Sequence, residues 1–273
     1  ATDSTARDVS WLSISFFPML STDGSLLIFG DGSDVAGDNY AIMLRRTDGS
    51  PAIRIGEGGD LSLSRDNQWV LSSVPSVPVK LMMFPTGAGT ARRLDNGEFA
   101  SIIAGSFLGD GSQIVVCGNE PKHAVRCYVK SLSGGTFKPI TPEGVITIGG
   151  VRGAVTSPDG GSLAALTETG FRVFSTRDGT SQSVPGLSPS DRLLRYSPDG
   201  RFLWARQMSA EQVRIDQVDL KTGARSLLMT GFGAQRPGVM EVREVALADN
   251  PRTYAFMEKE VVSYLFELKR MQK

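Results

Sequence analysis

Ser157-Pro158-Asp159-Gly160 reads SPDG, and the same four letters return at Ser197-Pro198-Asp199-Gly200. Proline presets the φ of a type I turn, aspartate hydrogen-bonds the backbone nearby, and glycine takes the left-handed position at little steric cost. Such a turn joins two antiparallel strands. With the aspartate held fixed and its flanks allowed to vary, the pattern extends both ways along the chain. It reads STDG ending at Gly24, SRDN at Asn67, LGDG at Gly111 and LADN at Asn250. The aspartates are Asp23, Asp66, Asp110, Asp159, Asp199 and Asp249, at intervals of 40 to 50 residues. A period of that length is the signature of a repeat architecture.

Four residues beyond each aspartate stand Leu27, Val70, Ile114, Leu163 and Leu203, with Thr253 as the exception. The next residues are Ile28, Leu71, Val115, Ala164, Trp204 and Tyr254. Neighbouring positions of a strand face opposite ways, so both faces of these strands need cover, as in a sheet held between two others. A second turn follows each of the first five aspartates, ending at Gly49, Gly89, Gly135, Gly179 and Gly223. The sixth unit lacks it and has room for three strands. The segment RDVSWL, residues 7–12, has no partner in its own unit and is expected to supply the missing strand.

The fold expected is therefore all-β: a six-bladed β-propeller of four-stranded antiparallel blades, its ring closed by the N-terminal strand joining the last blade. The units fall at about 13–57, 58–98, 99–144, 145–188, 189–233 and 234–273, in one domain spanning 1–273. No stretch sustains a helical apolar period. A β-sandwich would explain neither the regular turns nor the short last unit.

With 29 basic and 29 acidic side chains in 273 residues, the chain lacks the basic excess of a nucleic-acid binder or an attraction to anionic membranes. No apolar run reaches the length of a membrane span, and any anchor or targeting segment is expected to lie outside the chain. Cys117 and Cys127 flank a hairpin turn near Lys122, either bridged across two strands or as two buried thiols.

SPDG followed by an apolar strand resembles the repeat of TolB-like, WD-repeat-like bacterial propellers. NYAIMLRRTDGSPAIRIGEG at 39–58 and the closing VVSYLFELK are similar to propellers at the C-terminal end of bacterial serine/threonine kinases. The resemblance implies a sensor or interaction module, extracytoplasmic, in the periplasm or at the cell surface, with protein partners. No catalytic residue carries over, because the motif residues are turn formers. Kinase elements such as HRD and DFG do not occur in the sequence.

His123, the only histidine, falls in a strand-joining turn, and no G-x-S-x-G elbow accompanies it, so the chain reads as noncatalytic. No cofactor is expected. Asp31, Asp34, Asp38 and Asn39 crowd one loop that could offer oxygen ligands to calcium, although loops of this composition are also ordinary solvated turns. The early residues of the innermost strands should line the mouth of the central channel. There stand Arg152, Arg192 and Arg243, with Arg195 one step deeper and Phe16 and Phe17 in the first unit. Guanidiniums so placed suit an acidic protein segment or a small anionic ligand, unless Asp191, Glu241 and Glu244 neutralise them. Val74 and Val77, beside prolines in a second-blade loop, are candidate partner contacts. The function expected is a noncatalytic ligand- or protein-binding sensor domain of a signalling protein. The alternatives are a stand-alone periplasmic scaffold, or a propeller-based hydrolase or gating domain of a peptidase.

Overall fold

A computed structural model describes residues 7–12, 14–146, 154–207, 213–230 and 239–260 of the chain. The first blade is β1 (Ser15–Leu20), β2 (Leu26–Asp31), β3 (Ala41–Arg46) and β4 (Ile53–Glu57), antiparallel and in chain order. The second is β5 (Gly59–Leu63), β6 (Trp69–Val74), β7 (Lys80–Pro85) and β8 (Arg92–Leu94). The third is β9 (Ser101–Leu108), β10 (Gln113–Asn119), β11 (Arg126–Ser131) and β12 (Gly134–Pro139). The fourth is β13 (Ala154–Thr156), β14 (Ser162–Thr167), β15 (Gly170–Ser175) and β16 (Ser181–Ser183). The fifth is β17 (Asp191–Tyr196), β18 (Phe202–Gln207), β19 (Arg214–Asp219) and β20 (Arg225–Thr230). A two-stranded sheet of β21 (Val239–Leu247) and β22 (Tyr254–Glu260) follows. The protein is thus a β-propeller with five complete blades among the described residues. The innermost strands pack in succession, β1 on β5, β5 on β9, β9 on β13, β13 on β17 and β17 on β21, and β1 also meets β21 and β22.

The recurring turn explains itself atom by atom. In the fourth blade Ser157 Oγ donates to Asp159 Oδ1 (2.5 Å) and accepts from Ser162 N (2.9 Å), while Asp159 Oδ1 accepts from Gly161 N (3.0 Å). Ser21 with Asp23, Ser64 with Asp66 and Ser197 with Asp199 repeat the arrangement. Serine and aspartate together satisfy backbone donors that the tight turn leaves over. In the two-stranded sheet the register is one residue later than expected. Ala248 N donates to Thr253 O, the bond that Ser157 N makes to Ser162 O, and Asn250 Oδ1 accepts from Arg252 N. The turn residue there is Asn250, not Asp249. Tyr254 pairs with Leu247 as Leu163 does with Thr156, so the apolar position that Thr253 seemed to break is held by Tyr254.

The apolar clusters span neighbouring sheets, which is why the strands are apolar on both faces. Ile28 and Ile42 of the first blade pack with Val70 and Phe84 of the second. Leu71 and Leu81 pack with Ile114 and Val116 of the third. Leu166 and Phe171 of the fourth meet Leu203 and Val218 of the fifth. Each such side chain contributes about 1.5–3 kcal/mol by its removal from water. A second link runs along the axis. Leu63 N donates to Met19 Sδ (3.0 Å), Phe107 N to Ser62 Oγ (3.1 Å), and Ser106 and Thr156 share a hydroxyl bond (3.0 Å). Met19, Ser62 and Ser106 occupy the same place, two residues before the turn begins, and each reaches the next blade.

One expectation differs from the structure, and one open alternative is resolved by it. Residues 7–12 form no strand and pair with neither described strand of the last sheet. The Val9 carbonyl is taken by Arg45 Nη1 (3.0 Å), Arg7 Nη2 reaches the Thr47 carbonyl (2.7 Å), and Val9 packs beside Leu27, Phe29 and Ala255. With a carbonyl spent on a first-blade side chain, the segment is a strap on that blade and not a ladder strand. The cysteines, for which bridged and free states were both open, form a disulfide between directly paired residues of β10 and β11.

Candidate functional site

A cavity of roughly 250 Å³ lies on the axis, lined from all six sheets, by Met19, Ser62, Ser106, Val155, Arg195 and Ala246 among others. One end of it lies where the innermost strands finish, at the Asp turns. The other lies near the middle of those strands, at Phe17, Leu61, Gly105, Leu193 and Glu244.

Most of the innermost strands carry a bulge near their middle. The extra residues are Leu61 in β5, Ile103 in β9, Leu194 in β17 and Arg243 in β21, and β1 shifts between Phe16 and Met19. A bulge re-aims the side chains that follow it. Arg192 faces Arg206 across the ladder and Arg195 faces Trp204, so the extra residue Leu194 leaves Arg192 and Arg195 on one side of the sheet.

The candidate residues are not all brought together. Arg152 lies outside the described residues. Arg195 stands at the turn end, where its guanidinium donates to the Tyr196 and Leu247 carbonyls (3.2 and 2.8 Å) and pairs with Asp249. Burial pulls its pKa down, against the opposing charge of Asp249. Arg192 and Arg243 do share the strand-start end. Arg243 Nε donates to Glu241 Oε1 (2.6 Å), which holds that carboxyl below its ordinary range. Burial lowers the Arg192 pKa, while the charge of Glu244 opposes the shift.

Phe16 completes this end from the first blade. Its ring covers Gly30 and meets Phe17 and Tyr40 edge-on, with centroids 5.3 and 5.4 Å away. Val77 is fully exposed at the tip of its loop, whereas Val74 is 1% exposed and belongs to the core. Val74 is the last residue of β6, paired with Lys80, and its side chain falls on the packed face.

Of the calcium candidates, Asp31 serves its own loop. This residue is buried, and its carboxylate accepts from Ser33 N (3.0 Å) and Ser33 Oγ (2.9 Å). It shapes its own loop, while Asp34 and Asp38 are exposed. Among the described residues no group of three or more His, Cys, Asp or Glu side chains is placed to hold a metal ion. His123 sits on an outer loop, bonded through Nδ1 to Glu143 (2.9 Å), and does not line the axial cavity.

Two features of the strand-start end were not anticipated. Arg206, 4% exposed, donates to the carbonyls of Arg243 (2.9 Å) and Val242 (2.5 Å) in the β21 bulge, with its Nε buried and unpartnered among the described residues. Burial again lowers its pKa, with Glu244 pulling the other way and Arg192 adding to the fall. Arg192, Arg206 and Arg243 thus stand against Glu241 and Glu244, an excess of positive charge in a partly desolvated crescent. At the same end of the molecule, Ile14 (52% exposed), Tyr40 (48%) and Val35 (71%) put apolar surface into water on the first blade, and Val77 does so on the second. An arginine inside an otherwise apolar second strand, FLWARQ, was the available signal for Arg206.

No family model matches the sequence, and no curated protein does. Solved structures match at low identity. TolB from Acinetobacter baumannii is 14% identical with a TM-score of 0.60, over 78% of this chain and 53% of that one. The chain thus spans about half of that protein's length. A putative TolB from Agrobacterium tumefaciens is 18% identical with a TM-score of 0.61, over 81% and 82%. Oligogalacturonate lyase from Vibrio parahaemolyticus is 14% identical with a TM-score of 0.54, over 85% and 67%. One fold carries TolB in some proteins and a lyase in another, and function has to be argued from the site. What these likenesses establish is the architecture: the chain has the fold of a TolB-like β-propeller.

Proposed function

We propose that the chain is a noncatalytic interaction module, a six-bladed propeller whose sixth blade is founded on β21 and β22. It docks a protein partner on its strand-start face. The observation that carries this reading is the placement of exposed apolar side chains. Ile14, Val35, Tyr40 and Val77 stand on the first and second blades at the strand-start end, the end that also carries Arg192, Arg206 and Arg243. Apolar anchors on the same face as a partly desolvated basic patch suit a protein segment that offers carboxylates and at least one large apolar side chain. The disulfide between Cys117 and Cys127 supports an extracytoplasmic site of action, since such bonds persist in oxidising compartments. Together these features favour the sensor or interaction domain of a bacterial signalling protein, such as a serine/threonine kinase.

The test is peptide selection. Displayed random dodecapeptides panned on the immobilised protein should enrich sequences that pair acidic with large apolar residues. Their binding should fall at least tenfold in the Arg192→Ala/Arg243→Ala variant. Enrichment of peptides indifferent to that change, or of none, contradicts the reading.

A further inference from the structure

The apolar and the basic residues of the strand-start end belong to different blades, and the charges around them differ in sign. On the first blade three side chains converge on one point. A Cβ added at Gly32 would stand 3.0 Å from Phe16 Cε1, 3.3 Å from Ile14 Cγ2 and 3.5 Å from Tyr40 Cδ1. Ile14, Phe16 and Tyr40 therefore form one continuous patch, tied to the loop by Gly32 N, which donates to the Ile14 carbonyl (2.9 Å). Tyr40 is held at φ +64°, and Phe17, edge-on to Phe16, at φ +50°, a left-handed conformation that bulky side chains seldom take. The tyrosine ring is not hidden in return; Tyr40 stays half exposed.

The surroundings of this patch are acidic. From Asp8 to Leu44 the sequence has no lysine, arginine or histidine. Asp34 follows Gly32 in the turn closed by Ala36 N on the Ser33 carbonyl, and Asp38 precedes Tyr40 in the turn closed by Tyr40 N on the Gly37 carbonyl. Both aspartates are exposed. Glu57 arrives from β4, where it pairs with Ala41 and accepts from Asn39 Nδ2 (3.4 Å). The cations of β3, Arg45 and Arg46, stand at the far end of that strand, opposite Leu27 and Leu26. On the fifth blade and β21 the balance is reversed, with Arg192, Arg206 and Arg243 set against Glu241 and Glu244.

We propose that the first-blade patch takes a basic and apolar stretch of the docked partner, an arginine beside a large apolar side chain. The partner segment then lies in one direction, its acidic residues toward Arg192 and Arg243 and its arginine toward Tyr40. This rests on the docking reading above and adds to it the sign of charge at the apolar end. An exposed tyrosine face attracts a guanidinium stacked over it, and carboxylates at the rim supply the counter-charge. A segment laid the other way would set its carboxylates against Asp34, Asp38 and Glu57, and such like-charge juxtaposition suppresses the wrong arrangement.

The probes are two blocked dipeptides with the same apolar group and opposite charge, N-acetyl-Arg-Trp-amide and N-acetyl-Glu-Trp-amide. Each is titrated into the 15N-labelled protein at low ionic strength and followed by amide shifts. Saturable shifts with the arginine peptide are expected around Gly32 and Tyr40, with binding about fivefold tighter than that of the glutamate peptide. Asp34→Asn combined with Asp38→Asn, both at exposed positions, should cut that preference to about twofold or less. Tyr40→Ser should weaken the arginine peptide about fivefold. Arg192→Ala/Arg243→Ala should leave its binding unchanged. Absence of saturation with the arginine peptide, equal or tighter binding of the glutamate peptide, or an undiminished preference in the Asn variant would overturn the proposal. Selected dodecapeptides that depend on Arg192 and Arg243 yet carry no basic residue would also overturn it, while leaving the docking reading in place. Arginine-peptide binding as described, with no dodecapeptide selected, would support the patch and count against the docking reading alone.

Discussion

Where the innermost strands finish, the molecule spends its polar groups on itself; where they begin, it presents apolar and basic side chains to water. At the turn end, serine hydroxyls and aspartate carboxylates close the hairpins of the first, second, fourth and fifth blades, Asp249 N bonds the Thr22 carbonyl, and Arg195 fastens the fifth blade to the two-stranded sheet. At the strand-start end, the loops hold Tyr40 and Val77 outward, and buried Arg206 donates to the Val242 and Arg243 carbonyls. The contrast teaches that the repeat motif is an architectural device. Its residues recur because every blade needs the same turn, whereas the residues that differ between blades are free to serve partners and ligands.

The sharpest way to break this comparison uses the two identical SPDG turns. Gly160 has φ +73°, and a Cβ there would run into the backbone nitrogen of Gly109 in the neighbouring blade. Gly200 has φ +71°, but its nearest neighbour is Pro158 Cδ at 3.8 Å. Gly160→Ala should cost about 3 kcal/mol, from left-handed strain plus a backbone clash, and Gly200→Ala about 1 kcal/mol from strain alone. Urea midpoints measure both. Equal losses would show that the blades do not approach as described.

The next effect belongs to the opposite end, where the Cys117–Cys127 bridge ties β10 to β11 and closes a short loop, at a sequence separation of 10. Reduction, or Cys117→Ser with Cys127→Ser, should lower stability by about 2.5 kcal/mol. A negligible loss in equilibrium unfolding would remove the staple from the account.

Acid provides a smaller and more local probe. The Ser21 hydroxyl, then the Ser25 amide, hold Asp23 at a pKa of about 2 against an ordinary 3.8. The folded pKa is depressed, so the stabilising contribution is complete above about pH 4 and is lost as pH falls through about 2. Asp23→Asn should therefore flatten part of the stability decline over that window. The Asn250 turn carries the same bond without titrating. An unaltered pH profile in the variant would contradict the assignment.

Smallest for stability should be the strand-start face. Ile14→Ser, Tyr40→Ser and Val77→Ser should each stay within about 0.5 kcal/mol of the parent, as expected of exposed positions. A loss of several kcal/mol would make these residues part of the core and not a docking surface.

The turn chemistry was legible in the sequence because it is local: SPDG states its own φ angles and hydrogen bonds within four residues. The apolar pairs after each turn were legible for a similar reason, since a strand covered on both faces shows it in adjacent letters. What depends on a partner strand was not. The shift from Asp249 to Asn250 appears only when Leu247 is set against Tyr254, and Val74 and Val77 part company only once Val74 pairs with Lys80. The bulge at Leu194 is equally silent in sequence, and it places Arg195 on the same side as Arg192, where straight alternation would part them. The segment 7–12 reads as a strand by its letters, yet it forms none, and Arg45, remote in sequence, donates to its Val9 carbonyl. The basic residues of the site were visible as residue types, but Arg195 proved to be committed to Asp249.

The central claim, that partners meet the strand-start face, is tested most directly by site-specific photocrosslinking in cells. A benzophenone amino acid would be placed at Val35 or Val77 on that face, and at Ser112 or Asp178 on the turn face. Discrete protein adducts at Val35 and Val77, with none at Ser112 and Asp178, are the predicted outcome. Adducts confined to the turn-face positions would contradict it.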